Sequence, residues 1–162
     1  MDAVLVHRRP LDEALERDAA KAGLDDRDRA FAFKLAATQL RRLGQIDALI
    51  DGCLATPLPA RLATVRGLLR LGAAQLLLLA TPPHAAVDTT VRLARQLRHA
   101  GHVPLINAVL RRLAREGSAA MARQDAARLN TPEWLWQSWA AAYGDDRARA
   151  IALAHLPSRR ST

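Results

Sequence analysis

Cysteine, lysine and aromatic residues are all scarce in this 162-residue chain, and each scarcity closes off a class of protein. The single cysteine, Cys53, cannot form an internal disulfide or a cysteine-based zinc site, which points to a reducing compartment. No charged-then-apolar leader opens the chain, so the expected location is the cytoplasm. Bilayer spans need roughly 20 apolar residues. The uncharged run Leu71–Ala80 is about half that length and follows Arg61, Arg66 and Arg70, so no membrane partner is expected. Strand periodicity is missing, as are a glycine-rich loop after a strand, a phosphate-cradling motif, paired carboxylates and a Cys/His dyad. The chain alone is therefore not expected to be an enzyme or to hold a metal.

What is present is positive charge. Lys and Arg number 24 against 16 Asp and Glu, a net +8 with a pI near 11.2, and a polyanion is the default partner of such a chain. Only Lys21 and Lys34 are lysines, so codon bias is a second source of the arginines. The arginines are nevertheless unevenly placed, in doublets and sets near helix ends: Arg41-Arg42, Arg111-Arg112, and Arg92, Arg95 and Arg98 with His99. Lys34 and Arg41 share a helix face, as do Arg66 and Arg70. These residues, Arg98 and His99 aside, are the candidate RNA contacts, because guanidinium groups recognise phosphate bidentately and stack on bases. For each one singly, a solvated or locally paired role competes: Arg41 and Arg42 suit a helix C-terminus, and Arg92 can reach Asp88 one turn away.

Hydrophobic periodicity predicts an all-α fold. Pro10 and Asp12 open a helix with Leu11, Leu15, Ala19 and Ala22 on one side, closed by Gly23. Asp25 caps the next, with Phe33, Ala36, Ala37 and Leu40 inward and Gly44 past its end. Ile46, Leu49, Ile50 and Cys53 mark a shorter helix, so Cys53 reads as a buried structural thiol. The run Leu71–Ala80 holds no charge and a single polar side chain, Gln75, so the helix from about Pro59 to Ala80 that contains it is expected at the centre of the bundle. After Thr81-Pro82-Pro83, a helix presents Val87, Val91, Ala94 and Leu97 to the core and is closed by Gly101. Another opens at Pro104 with Ile106, Val109, Leu110 and Leu113 inward, and Ser118 is expected to cap a short helix to Leu129. Asn107 and His84 read as structural polar residues, bonded to a loop or a helix end, with ligand contact as the alternative.

Composition changes after Asn130, where Trp134, Trp136 and Trp139 fall together with the sole tyrosine, Tyr143. Thr131 and Pro132 are expected to start this helix, Gly144-Asp145 to start a last one to Leu156, and Pro157–Thr162 to fray. The tryptophans are expected to wedge between two packed bodies; base stacking is the alternative. Domain expectations are a helical RNA-binding domain over 1–129 and the start of a linker over 130–162.

The segments DRAFAFKLAATQLRRL at 28–43, LLRLGAAQLLLLATPPHAAVDTTVRLAR at 68–95 and INAVLRRLAR at 106–115 together resemble the NusB-like all-helical domain. The closer likeness is to the version at the N-terminus of the RsmB (Sun/Fmu) ribosomal RNA cytosine methyltransferases. LNTPEWLWQSWAAAYGDD at 129–146 looks like the connection from that domain towards the catalytic part. Asp88-Thr89 stands where that family usually has Asn-Glu, and the match begins part-way through the first helix, at Ala3-Val4-Leu5. The resemblance implies an RNA-positioning domain, non-catalytic by itself, of an enzyme that methylates carbon 5 of a cytosine in small-subunit ribosomal RNA. S-adenosylmethionine is then expected only in a catalytic domain outside these 162 residues, with that domain as the partner in cis. The alternative is a free-standing NusB-type antitermination factor, regulating transcription with a ribosomal protein partner, or a protein-interaction scaffold.

Overall fold

A computed structural model describes Val4 and residues 9–156; the expectations for Ala3, Leu5 and the tail from Pro157 lie outside the described residues. Every regular element among the described residues is helical. In chain order these are α1 (Leu11–Ala22), α2 (Asp26–Arg41), α3 (Leu43–Cys53), α4 (Ala63–Leu77), α5 (Pro83–Gln96), α6 (Val103–Ala122), α7 (Ala126–Leu129), α8 (Glu133–Tyr143) and α9 (Asp145–Ala154). One-turn 3-10 helices at Ala60–Leu62 and Ala100–His102 lead into α4 and α6.

The start and stop chemistry follows the local sequence. Gly23 closes α1 in the left-handed conformation, at φ +64°. Asp25 caps α2 by accepting the Asp28 amide at 2.7 Å. Pro83 and Pro104 sit in first turns, where no amide hydrogen is required.

The apolar α4 is the hub, packed against α2, α3, α5 and α6. Val65, Leu69, Ala73 and Ala74 on it are fully buried, as are Ile46 and Ile50 of α3 and Ile106 and Leu110 of α6. At about 1.5–3 kcal/mol for each large side chain, this one cluster supplies most of the drive to fold.

Several local expectations need correction. Phe33 is not inward: it is exposed on α2, and Leu35, Thr38 and Gln39 are buried instead. The α2 face that meets α4 is therefore rotated from the stripe the aromatic suggested. Leu97 is likewise exposed, and Ala22 too, because Leu97 is the cap just past α5 and Ala22 the last residue of α1, both beyond the reach of the core. Gly44 does not follow a terminus but lies in the first turn of α3, with only Arg42 between α2 and α3. Gly101 does not close α5. Arg98 does, at φ +62°, with the His99 amide reaching back to the Ala94 carbonyl at 2.8 Å. Finally, α6 runs unbroken through Gly117 and Ser118 to Ala122, because Gly117 lies against Leu77 and leaves room for that contact. Asp125, not Ser118, then caps the short α7. Pro132, not Thr131, holds the cap position of α8.

Candidate nucleic-acid interface

The basic side chains divide by what they touch. Arg66 and Arg70, one turn apart on α4, both turn to Asp47 of α3: Arg70 Nε and Nη2 donate to its two oxygens at 2.7 Å each, and Arg66 Nη1 donates at 3.4 Å. Arg66 also reaches Asp51 at 2.7 Å. Both arginine side chains are only 19% exposed, so this is a partly buried network tying α3 to α4. Burial works against the charged form of Arg66, but the carboxylates of Asp51 and Asp47 outweigh it and hold the guanidinium above the ordinary arginine value. The shared face was readable in the sequence; the acid it meets was not, since Asp47 lies on another helix.

On α5 and α6 the cations remain outward. Arg92 pairs with Asp88 at 3.1 Å and Arg112 with Glu116 at 3.2 Å, both exposed i, i+4 pairs of small energy. Among the described residues, Arg111 donates only to the neutral Asn107 Oδ1, at 3.0 Å. Asn107 thus serves its own helix, one turn away, rather than a loop or a neighbouring helix end. Arg95 is exposed and has no carboxylate partner among the described residues. His84 is exposed at the start of α5.

Along α2, Lys34 is exposed and Arg41 half-buried in the last turn. Arg42 donates to Gln45 Oε1 at 2.8 Å and so joins a polar clasp that the sequence did not reveal. In that clasp, the Gln45 backbone amide donates to Asn130 Oδ1 at 3.2 Å, Gln45 Oε1 accepts from Asn130 Nδ2 at 2.9 Å, and Gln45 exchanges two bonds with the Gln124 side chain. Gln45 is almost fully buried, so these bonds satisfy a group that would otherwise be costly.

The tryptophans are not equivalent. Trp134 is 70% exposed, whereas Trp136 lies under the Arg128 guanidinium at 4.4 Å, with that of Arg149 at 5.9 Å. Trp139 stacks on His155 at 5.8 Å. Arg149 also grips Asp125 with two bonds of 2.9 and 2.8 Å, fastening α9 to the cap of α7. Cys53 is half-buried, and desolvation pushes its thiol up from the usual value, partly offset by the charge of Arg112. A raised thiol is poorly suited to nucleophilic work.

Among the described residues no helix is long and apolar enough to cross a membrane. The same residues include no group of three or more His, Cys, Asp or Glu placed to hold a metal ion.

The model of the NusB family matches residues 1–115. A protein named ribosomal RNA small subunit methyltransferase B from Xanthomonas campestris pv. campestris is 41% identical over 84% of this chain, which covers 30% of that protein. Its namesake in Thermus thermophilus is 40% identical over 81% of the chain and 31% of its own length. That of Shewanella oneidensis is 32% identical over 80% and 30%. The chain thus spans about 30% of the length of the curated relatives it matches.

Proposed function

The chain belongs to the NusB family, and from that premise we propose that it is the RNA-positioning module of a small-subunit ribosomal RNA cytosine-C5 methyltransferase of the cytoplasm. On this reading S-adenosylmethionine and the reacting base are held by a separate domain, and these 162 residues are not catalytic. The observation that carries the reading is the coverage: relatives named for ribosomal RNA methylation align with four-fifths of this chain, yet the chain accounts for under a third of them. The module's task is then to hold the RNA backbone while the target base is extruded into a remote pocket.

Charge placement agrees with that task. Arg92, Arg95, Arg111 and Arg112 form the principal phosphate surface on α5 and α6, with Lys34, Arg41 and Arg42 at α2 as a second group. Arg66 and Arg70, engaged with Asp47, serve the fold instead. The module's own methyltransferase domain docks on the α8–α9 hairpin, where exposed Trp134 and Tyr143 offer apolar area.

Binding of a labelled single-stranded RNA across a salt series tests the proposal. Neutralising about four phosphates gives log Kd a slope of roughly 3 against log salt. Absence of binding near physiological salt overturns it. The exposure of Trp134 also favours a second reading, a scaffold that docks its enzyme without touching RNA. Tight association with the methyltransferase domain together with no RNA binding selects that one.

A further inference from the structure

From Thr89 to Arg115 the chain contains no acidic residue, while it carries Arg92, Arg95, Arg98, Arg111, Arg112 and Arg115. The acids that bound this stretch, Asp88 and Glu116, pair with Arg92, Arg112 and Arg115. Neutralisation is therefore applied at its edges. At the corner where α5 turns into α6, Arg95 and Arg98 are both exposed and have no carboxylate partner among the described residues. His99 and His102 close the corner behind them, their rings edge to face at 5.8 Å.

Arg98 also carries an unfavourable backbone. It is the residue after the cap of α5, at φ +62°, where the helix ends by reversing its hand. Its amide bonds the Arg95 carbonyl at 3.1 Å and the next amide, that of His99, bonds Ala94. Such a position is most often glycine, since a Cβ crowds the backbone there. This chain uses glycine at two other positive-φ helix ends, Gly23 and Gly144. Ala80, at φ +51°, shows that the strain alone is tolerated. What sets Arg98 apart is that strain and unopposed charge coincide in one exposed side chain. Nothing among the described residues relieves either, and an anion at the corner would relieve the second.

We infer that Arg98 is a phosphate anchor for the RNA, kept at the α5–α6 corner at the expense of folding stability. The inference rests on the RNA-binding reading above and narrows it to a place. It predicts that stability and affinity at this residue move in opposite directions, which a merely solvated arginine would not produce.

The full chain is compared with Arg98→Gly, Arg98→Ala and, as a remote control, Arg27→Ala at the exposed start of α2. Thermal melts are followed by circular dichroism, and binding of a fluorescein-labelled mixed-sequence single-stranded RNA by anisotropy across a salt series. Arg98→Gly is expected to melt above both the parent and Arg98→Ala, because glycine alone removes the strain. Both are expected to bind RNA about fivefold more weakly, with a salt slope shallower by about 0.7, while Arg27→Ala binds as the parent does. If the parent binds and both Arg98 variants keep its affinity, the anchor is overturned while the RNA reading stands. Melting of Arg98→Gly at or below the parent removes the stability half of the inference and overturns it as stated. If the parent itself fails to bind, the broader reading falls and takes this one with it.

Discussion

The backbone of Gly44 lies so close to the carbonyl of Leu129 that a Cβ at position 44 would overlap that oxygen. This contact seats the end of α7 on the first turn of α3, and the Gln45–Asn130 bonds close over it. Backbone cannot retreat as a flexible side chain can. Gly44→Ala is therefore expected to destabilise the chain by about 1–3 kcal/mol, the usual cost of overpacking. A lowered urea midpoint with an unchanged slope is the signature; an unchanged midpoint means that α7 is not seated there.

Asp47 serves two guanidinium groups at once, so its charge matters more than its volume. Asp47→Asn keeps the shape but leaves Arg66 and Arg70 short of a counter-charge in a largely buried site. A loss of about 1.5–3 kcal/mol is expected from hydrogen bonds to charged groups. Equilibrium urea unfolding measures it, and a change under half a kcal/mol would place this network among surface pairs of little worth.

These two sites show where sequence reading reaches its limit. Elements fixed by local chemistry were legible: the Asp25 cap, the left-handed Gly23, the apolar α4 at the hub, and the buried Ile106, Val109, Leu110 and Leu113. Periodicity reports which side of a helix is apolar, and the uncharged run from Leu71 in α4 leaves little polar surface to misplace. Illegible features depend on what another helix brings. Gly44 and Gly117 resemble helix breakers in isolation, but each is present because a neighbour approaches, Leu129 in one case and Leu77 in the other. Arg66 and Arg70 resemble a phosphate surface until Asp47 and Asp51, on a different helix, are set opposite them. By contrast, Arg92 and Arg112 pair within their own helices, and the Arg92–Asp88 pair follows from i, i+4 spacing alone.

The same division separates two arginines by experiment. Arg111 has a neutral partner and an exposed head, so Arg111→Ala is expected to weaken RNA binding across sequences and leave the melting temperature within about a degree. Arg70→Ala should do the reverse, lowering stability while leaving the salt slope of RNA binding unchanged. Salt-titrated anisotropy and thermal melts on both variants decide it. Equal effects on binding would return Arg70 to the phosphate surface.

Cys53 offers a chemical check on the packing of α3 against α6. Its thiol is raised by burial, so less thiolate is available at neutral pH than for a free cysteine. Iodoacetamide should therefore label the folded chain more slowly than the urea-unfolded chain at the same pH. Glu116→Gln removes a carboxylate that raises the thiol further, and is expected to speed labelling modestly. Folded and unfolded rates that coincide would mean the thiol is not desolvated.

The tie between Asp125 and Arg149 gives the chain an acid-sensitive joint. The hydrogen bond from Arg149 holds the Asp125 carboxyl below its ordinary value of 3.8, against some opposing desolvation and with help from the Arg128 amide. A carboxylate whose folded value is depressed contributes stability that is present above its unfolded value and lost as pH falls through the folded one. Docking of α9 on α7 should thus hold at pH 5 and above, and loosen only below 3.8. Trp136 reports the event, because Arg149 and Arg128 both lie over its ring. In a background where Trp134 and Trp139 are phenylalanine, its emission should show an acid transition with a midpoint below 3.8. Asp125→Asn should remove the part of that transition that Arg149 carries, since the amide cannot titrate, and leave the part that comes from Arg128, which Glu133 holds at 2.6 Å. A midpoint at or above the ordinary carboxylate value would mean that Arg149 does not grip Asp125 in solution, and that the hairpin is held on the bundle without that ion pair.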